Sequence, residues 1–211
     1  LLRSTLKHGK FSTEGIIDSP QRITTVKTRV MSQGHHLLRV DEEITSPLSA
    51  TDERHLLDCV RGILDRHPVH AIIFEDYNKG VLTEKVIKTV IGWAADKNIP
   101  TAVDPKKDNF FSYKNVTLFK PNLKELKEGL NAQFDFANDR QSFEAAIEKL
   151  EGKLQNKISF VTLVPQTIPD RQTISRIYYS PKPSRIFSRN GNQYAEFVFV
   201  NPKRYVKIKI K

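Results

Sequence analysis

The sequence predicts an α/β fold: a mostly parallel sheet flanked by helices, with a β-hairpin before it and a short all-β segment after it. Three observations carry that expectation. Four short apolar runs, at residues 69–74, 101–103, 116–119 and 158–164, have the length and content of strands buried on both faces. Helical patterns separate most of these runs, as right-handed crossovers between parallel strands require. Beyond residue 164 the patterning changes to polar–apolar alternation broken by prolines, which reads as half-exposed strands.

Taken in order, residues 1–8 closed by Gly9 have the character of the last turns of a helix. Residues 23–31 and 36–40 alternate around Ser32-Gln33-Gly34-His35, the signature of a β-hairpin. If Val26 and Val30 face inward, Lys27 and Arg29 project from the other face of the strand. A helix is expected over residues 51–66, with Leu56, Leu57, Val60, Ile63 and Leu64 on one stripe and Cys59 beside it as core filler. Val86, Ile87, Val90, Ile91 and Ala94 mark a second helix, against which Trp93 packs. Residues 123–130 form a short third one, and Phe143, Ala146, Ile147, Leu150 and Leu154 mark a fourth. In the last 47 residues, strands are expected at 172–179, 193–200 and 205–210, with Asn190-Gly191 as a hairpin turn.

Composition narrows the class. A chain of 211 residues has room for one α/β domain, and 38% hydrophobic with 27% charged residues fits a globular rather than a disordered protein. No apolar run approaches the ~20 residues of a membrane helix, and no charged-then-apolar leader is visible, so no membrane role is expected and a cytoplasmic location is. The single cysteine excludes an intramolecular disulfide framework and a cysteine-based zinc site. Of the net charge of +10, most belongs to residues 165–211, where ten lysines and arginines face two acidic residues. The basic excess is therefore local and does not argue for nucleic-acid binding by the whole chain. The tail also lacks the aromatic platform of single-strand binders.

In a parallel sheet the loops that follow the strands gather on one crest, where ligands bind. Those loops are Glu75-Asp76-Tyr77-Asn78-Lys79-Gly80, Asp104-Pro105-Lys106-Lys107-Asp108 and Lys120-Pro121-Asn122-Leu123-Lys124-Glu125. Lysines and carboxylates together suit an anionic ligand with a divalent metal. Each loop taken alone reads equally well as a solvated surface; three together favour a phosphate-bearing substrate. Asn122 with Glu125 admits two readings, a helix cap with a carboxylate three residues on or a phosphate and metal site. Lys79 and Lys106, and Lys27, Arg29 and Arg39 on the hairpin, are either phosphate ligands or solvated charges.

Five segments in order, Thr24–Val30, Leu38–Asp41, Asp76–Gly80, Val103–Lys106 and Pro121–Glu125, resemble the ribokinase-like (PfkB) carbohydrate kinases, and among these the kinases of D-glycero-D-manno-heptose 7-phosphate. The resemblance covers residues 1–164; residues 165–211 have a faint similarity to the β-rich region preceding transglutaminase-like domains. The resemblance implies transfer of the ATP γ-phosphate to the C1 hydroxyl of the sugar phosphate, a step toward ADP-heptose for lipopolysaccharide core. It implies that the hairpin, about residues 23–41, is part of a lid over the sugar. It implies ATP contacts at Asn122, Leu123, Lys124 and Glu125, with Mg²⁺ ordered by Glu125. It makes Lys27, Arg29, Arg39, Lys79 and Lys106 candidate contacts of the sugar phosphate. The family's Gly-Ala-Gly-Asp run, whose aspartate is the catalytic base, does not occur in the 211 residues, and neither does its paired-glycine sugar-binding motif. No catalytic residue is therefore assigned, and negligible turnover is expected of this chain alone, since a missing general base typically costs ~10²–10⁴-fold. Unburied sheet edges predict either self-association, as in a homo-oligomer, or poor solubility. The alternative is a non-enzymatic binding module whose basic β tail engages a polyanion or protein partner.

Overall fold

The computed structural model describes residues 2–135 and 138–163, together with the backbone of 176–180, 185–189, 192–197 and 206–210. Helix α1 (Leu2–His8) opens the chain. Strands β1 (Val26–Ser32) and β2 (His35–Glu42) form an antiparallel hairpin. Gln33 and Gly34, both at positive φ, make its two-residue turn, the conformation that matches the twist of paired strands. Helix α2 (Ala50–Arg66) follows, capped by the Ser49 side chain on the Asp52 N–H. Then come β3 (Ile72–Glu75), α3 (Glu84–Asp96), β4 (Thr101–Asp104), β5 (Leu118–Phe119), α4 (Leu123–Leu130), α5 (Arg140–Leu154) and β6 (Ile158–Leu163).

Strands β3, β4, β5 and β6 lie side by side in chain order and run parallel. The apolar runs were long enough to reveal these strands but not their ends. At 69–71 and 116–117, for example, the chain is still entering the sheet. Leu126, Phe143, Ile147, Leu150 and Leu154 from α4 and α5, and Val86, Ile87 and Val90 from α3, close over the sheet. Phe110, Phe119 and Tyr113 complete the core, with Phe110 edge-on to Phe119 at 5.0 Å between centroids. Trp93 packs against this core as expected, with Arg61 over its ring.

Beyond these strands lie β7 (Arg176–Ser180), β8 (Arg185–Arg189), β9 (Asn192–Phe197) and β10 (Val206–Ile210). Strand β7 pairs antiparallel with β6 and extends the main sheet, while β8, β9 and β10 form a separate three-stranded sheet. The expected Asn190-Gly191 turn lies outside the described residues; the strands on either side of it pair from Arg189 to Asn192.

Two expectations are corrected. Val26 and Val30 do not face inward: they are 49% and 44% exposed, and every residue of both hairpin strands is solvent-accessible. Alternation fixes which residues share a face but not whether anything covers that face. Cys59 is not core filler either. It lies half-buried at the edge of the α2 stripe, its thiol donating to the Glu14 carbonyl at 3.6 Å. Among the described residues no helix is long and apolar enough to cross a membrane.

Candidate functional site

Because β3, β4 and β5 are parallel, their exits lie on one rim, and the three polar loops meet there. The Asp76 N–H donates to the Asp104 carbonyl at 3.3 Å, and the Lys120 N–H donates to the Val103 carbonyl at 2.9 Å. Lys120 also pairs with Asp104 at 2.8 Å, and Lys106, in the loop after β4, pairs with Glu125 of α4. By the ordinary spacing of strands, the exits of β3 and β5 stand about 10 Å apart along this rim.

At the β5 end the chain turns directly into α4. Asn122 is its N-cap: the Asn122 Oδ1 accepts from the Glu125 N–H at 2.8 Å, and Glu125 Oε2 accepts from the Asn122 N–H at 2.9 Å. The helix-cap reading of this pair is thus realised as a reciprocal capping box. The phosphate reading is compatible with it. The box occupies the amides of Asn122 and Glu125, and the bridge between Asn122 and Thr162 of β6 uses that of Leu123, which leaves the Lys124 amide as the first-turn donor that helix geometry provides to an anion. Lys124 projects its side chain into solvent, 83% exposed. Glu125 is buried, and its second oxygen holds the Lys106 ammonium. Burial alone would lower the Lys106 pKa. The hydrogen bond and charge of Glu125, with Asp104 and Asp76 nearby, outweigh that and raise it, so Lys106 is a committed cation on the rim.

At the β3 end the loop is organised by Asp76, a buried carboxylate with three hydrogen-bond donors. Tyr113 OH (2.7 Å) and Asn109 Nδ2 (3.1 Å) donate to Oδ2, and the Asn78 N–H donates to Oδ1 (2.8 Å). Asn78 and Gly80, on either side of Lys79, are both in left-handed conformations; the bond to Asp76 holds the first, and the Leu48 amide holds the second through its carbonyl. Sequence reading placed Asp76 on the rim but gave it no role. Its donors Asn109 and Tyr113 lie more than thirty residues away, and only the fold brings them together.

The root of the hairpin is fastened to this loop. Arg22 donates to the carbonyls of Ser46 (3.0 Å), Ile44 (3.0 Å) and Lys79, and the Leu48 N–H donates to the Gly80 carbonyl at 3.0 Å. A cavity of about 500 Å³ lies between hairpin and loop, lined by Thr25, Lys27, Glu75, Asp76, Tyr77 and Lys79 among others. Its cations are paired. Glu43 binds Lys79 and reaches Lys27 at 3.5 Å, and Asp41 binds Lys27 at 3.0 Å and Arg39 at 2.6 Å. The hydrogen bond from Lys79 holds the Glu43 carboxyl below its usual pKa, and Arg39 and Lys27 do the same for Asp41. Arg29 has no ion pair among the described residues.

The sequence-selected residues therefore fall into two groups on one rim: Lys27 and Lys79 at the cavity, with Arg39 joined to them through Asp41, and Lys106 with Asn122–Glu125 at the α4 end. Arg29 shares the hairpin face with Lys27 and Arg39. The ligands needed for a resident metal are a different matter. No group of three histidine, cysteine or acidic side chains converges among the described residues, and both Glu125 oxygens are already engaged. The donor set fits a magnesium ion carried in by nucleotide phosphates and touched through water by one carboxylate; it does not fit a metal held by the protein alone.

No family model matches the sequence. Among known proteins, the chain is 38% identical over 125 residues to the bifunctional protein HldE of Syntrophotalea carbinolica, covering 59% of this chain and 25% of that one. To HldE of Helicobacter pylori strain G27 it is 33% identical over 165 residues, covering 78% and 35%. The chain thus spans about a quarter to a third of these relatives' length. Its fold is that of Escherichia coli phosphofructokinase-2, solved with potassium (TM-score 0.57, 19% identity, 77% of this chain and 51% of that one). It is also that of a Staphylococcus aureus protein described as a putative phosphofructokinase (TM-score 0.55, 14% identity, 94% and 56%).

Proposed function

We propose, on the premise that this chain is related to HldE within the ribokinase-like carbohydrate kinases, that its rim is the ligand-binding half of a sugar-phosphate kinase. Nucleotide phosphates bind at the start of α4, and the phosphorylated sugar, by resemblance D-glycero-D-manno-heptose 7-phosphate, binds in the cavity under the hairpin. The convergence of three strand-exit loops, each carrying a lysine, on one rim is the observation that supports this reading.

The residues would divide the work as follows. The Lys124 amide and the positive end of α4, in the stretch Asn122–Glu125, receive phosphate oxygens. Lys106, released from Glu125, neutralises phosphate charge, and the freed Glu125 carboxylate holds hydrated Mg²⁺ beside the nucleotide. The ion supplies charge neutralisation of the phosphates during transfer. Lys27 and Lys79, with Arg29 and Arg39 further along the hairpin, hold the sugar's own phosphate. No group among the described residues is assigned as the base for the attacking hydroxyl, and turnover by this chain alone is proposed to be negligible.

Titration of an ATP analogue with and without Mg²⁺ tests the nucleotide half. Magnesium-dependent binding that weakens in Asn122→Ala and Glu125→Ala is the expected result; binding indifferent to both changes would remove the reading. The second reading, a polyanion-binding module, is favoured by the charge of residues 165–211. It predicts salt-steep binding of heparin that disappears when Lys207, Lys209 and Lys211 become Gln. Deleting the tail is the poorer test, because β7 belongs to the main sheet.

A further inference from the structure

We propose that Glu43 is a resident counter-anion of the cavity: it holds Lys27 and Lys79 together until a phosphate monoester displaces it, and so restricts the site to phosphorylated sugars. The inference rests on the reading of this cavity as the sugar-phosphate site. Three elements converge on one carboxylate. Lys27 comes from β1, Lys79 from the loop after β3, and Glu43 from the residue just past β2, with Glu43 the most buried of the three at 18% side-chain exposure. Both lysines line the cavity.

The chemistry sets the order of preference. A carboxylate offers one negative charge. A phosphate monoester near neutral pH carries about −1.5 to −2 and three strong acceptor oxygens. Two ammonium groups on flexible stems can turn from the first to the second without moving the backbone. A neutral sugar offers no charge to replace Glu43, so the ion pairs remain and neither lysine is released to hold it. Lys27 also leaves Asp41, its nearer partner at 3.0 Å, but Asp41 keeps its two bonds from Arg39, so the hairpin ladder survives the exchange. Glu43 then acts as a specificity-determining residue by repulsion as much as by contact.

Calorimetric titration of the full chain with glucose 6-phosphate, with glucose as control, tests the inference. Glu43→Gln should bind glucose 6-phosphate about three- to ten-fold more tightly than the parent, the gain expected from releasing a half-exposed ion pair. Glu43→Asp keeps the net charge but withdraws the carboxylate by one methylene, and it should also tighten binding. The gain should vanish when Lys79→Met is added. An equal gain in Glu42→Gln would reveal a general charge effect and overturn the inference. Binding that depends on Lys27 and Lys79 but is not tightened in Glu43→Gln and Glu43→Asp would overturn it while leaving the cavity assignment intact. Absence of lysine-dependent binding in parent and variants alike would overturn both.

Discussion

Arg29 stands directly across the hairpin ladder from Arg39, two cations opposed on one face of an antiparallel pair. Like charges in that position weaken a ladder. The neighbouring pair on the same face, Lys27 opposite Asp41, offsets this because Asp41 accepts hydrogen bonds from both Lys27 and Arg39. Removing Arg29 and removing the Asp41 charge should therefore act on the hairpin in opposite senses. Arg29→Ala should slow amide hydrogen exchange in β1 and β2, and Asp41→Asn should speed it.

The same carboxylate gives the hairpin a pH dependence. Its pKa lies below the ordinary value in the folded protein, so its contribution to stability is complete above the unfolded carboxylate pKa, about 4. It is lost progressively as pH falls below that value toward the folded one. Hairpin protection factors, that is the intrinsic exchange rate at each pH divided by the observed one, should fall between pH 6 and pH 3 in the parent and be flatter in Asp41→Asn.

Tyr113 is fully buried, and both its burial and its bond to Asp76 push its hydroxyl well above the usual tyrosine range. In an alkaline absorbance titration it should remain silent in the folded protein. Tyr113→Phe removes one of the three donors to a buried carboxylate and should cost about 1–3 kcal/mol of stability by chemical denaturation. It should also weaken sugar-phosphate binding, because the loop that aims Lys79 loses a support.

Gly80 has φ +72°, and a Cβ there would lie 1.9 Å from the Ser46 carbonyl oxygen. Both the conformation and the contact exclude a side chain. Gly80→Ala should lower stability by about 1–3 kcal/mol and change the accessibility of Arg22 and Lys79 to chemical modification.

At α4, Asn122→Ala should cost about 1 kcal/mol through loss of the cap. Asn122→Asp should retain most of that stability, because an aspartate caps equally well. It also places a negative charge where nucleotide phosphates are proposed to sit. Thermal melts paired with nucleotide titrations should therefore separate the two roles of this position: stability retained, binding reduced.

Much of this was legible in the sequence because the governing physics is local. Val86, Ile87, Val90, Ile91 and Ala94 are all buried on α3, as their spacing requires. Leu123–Leu130 is helical over the expected range because Asn122 and Glu125 supply a cap from within four residues. The convergence of the three loops followed from parallel strands alone. What escaped was non-local. Arg22, a residue with no motif around it, contacts carbonyls 22, 24 and 57 positions away. Glu43 sits just outside the alternating pattern, yet it organises two of the lysines the pattern had singled out. Opposite-charge partners across long sequence separations leave no periodic trace.

The bond between the Leu48 amide and the Gly80 carbonyl, with Arg22 bridging the same two stretches, makes the hairpin a lever with a fixed fulcrum. Chain length is thereby unevenly constrained. Extra residues inserted at Gln33-Gly34 would extend the free arm into water, whereas a single insertion between Glu43 and Leu48 would shear the fulcrum. A reporter peptide grafted into this molecule belongs at the tip.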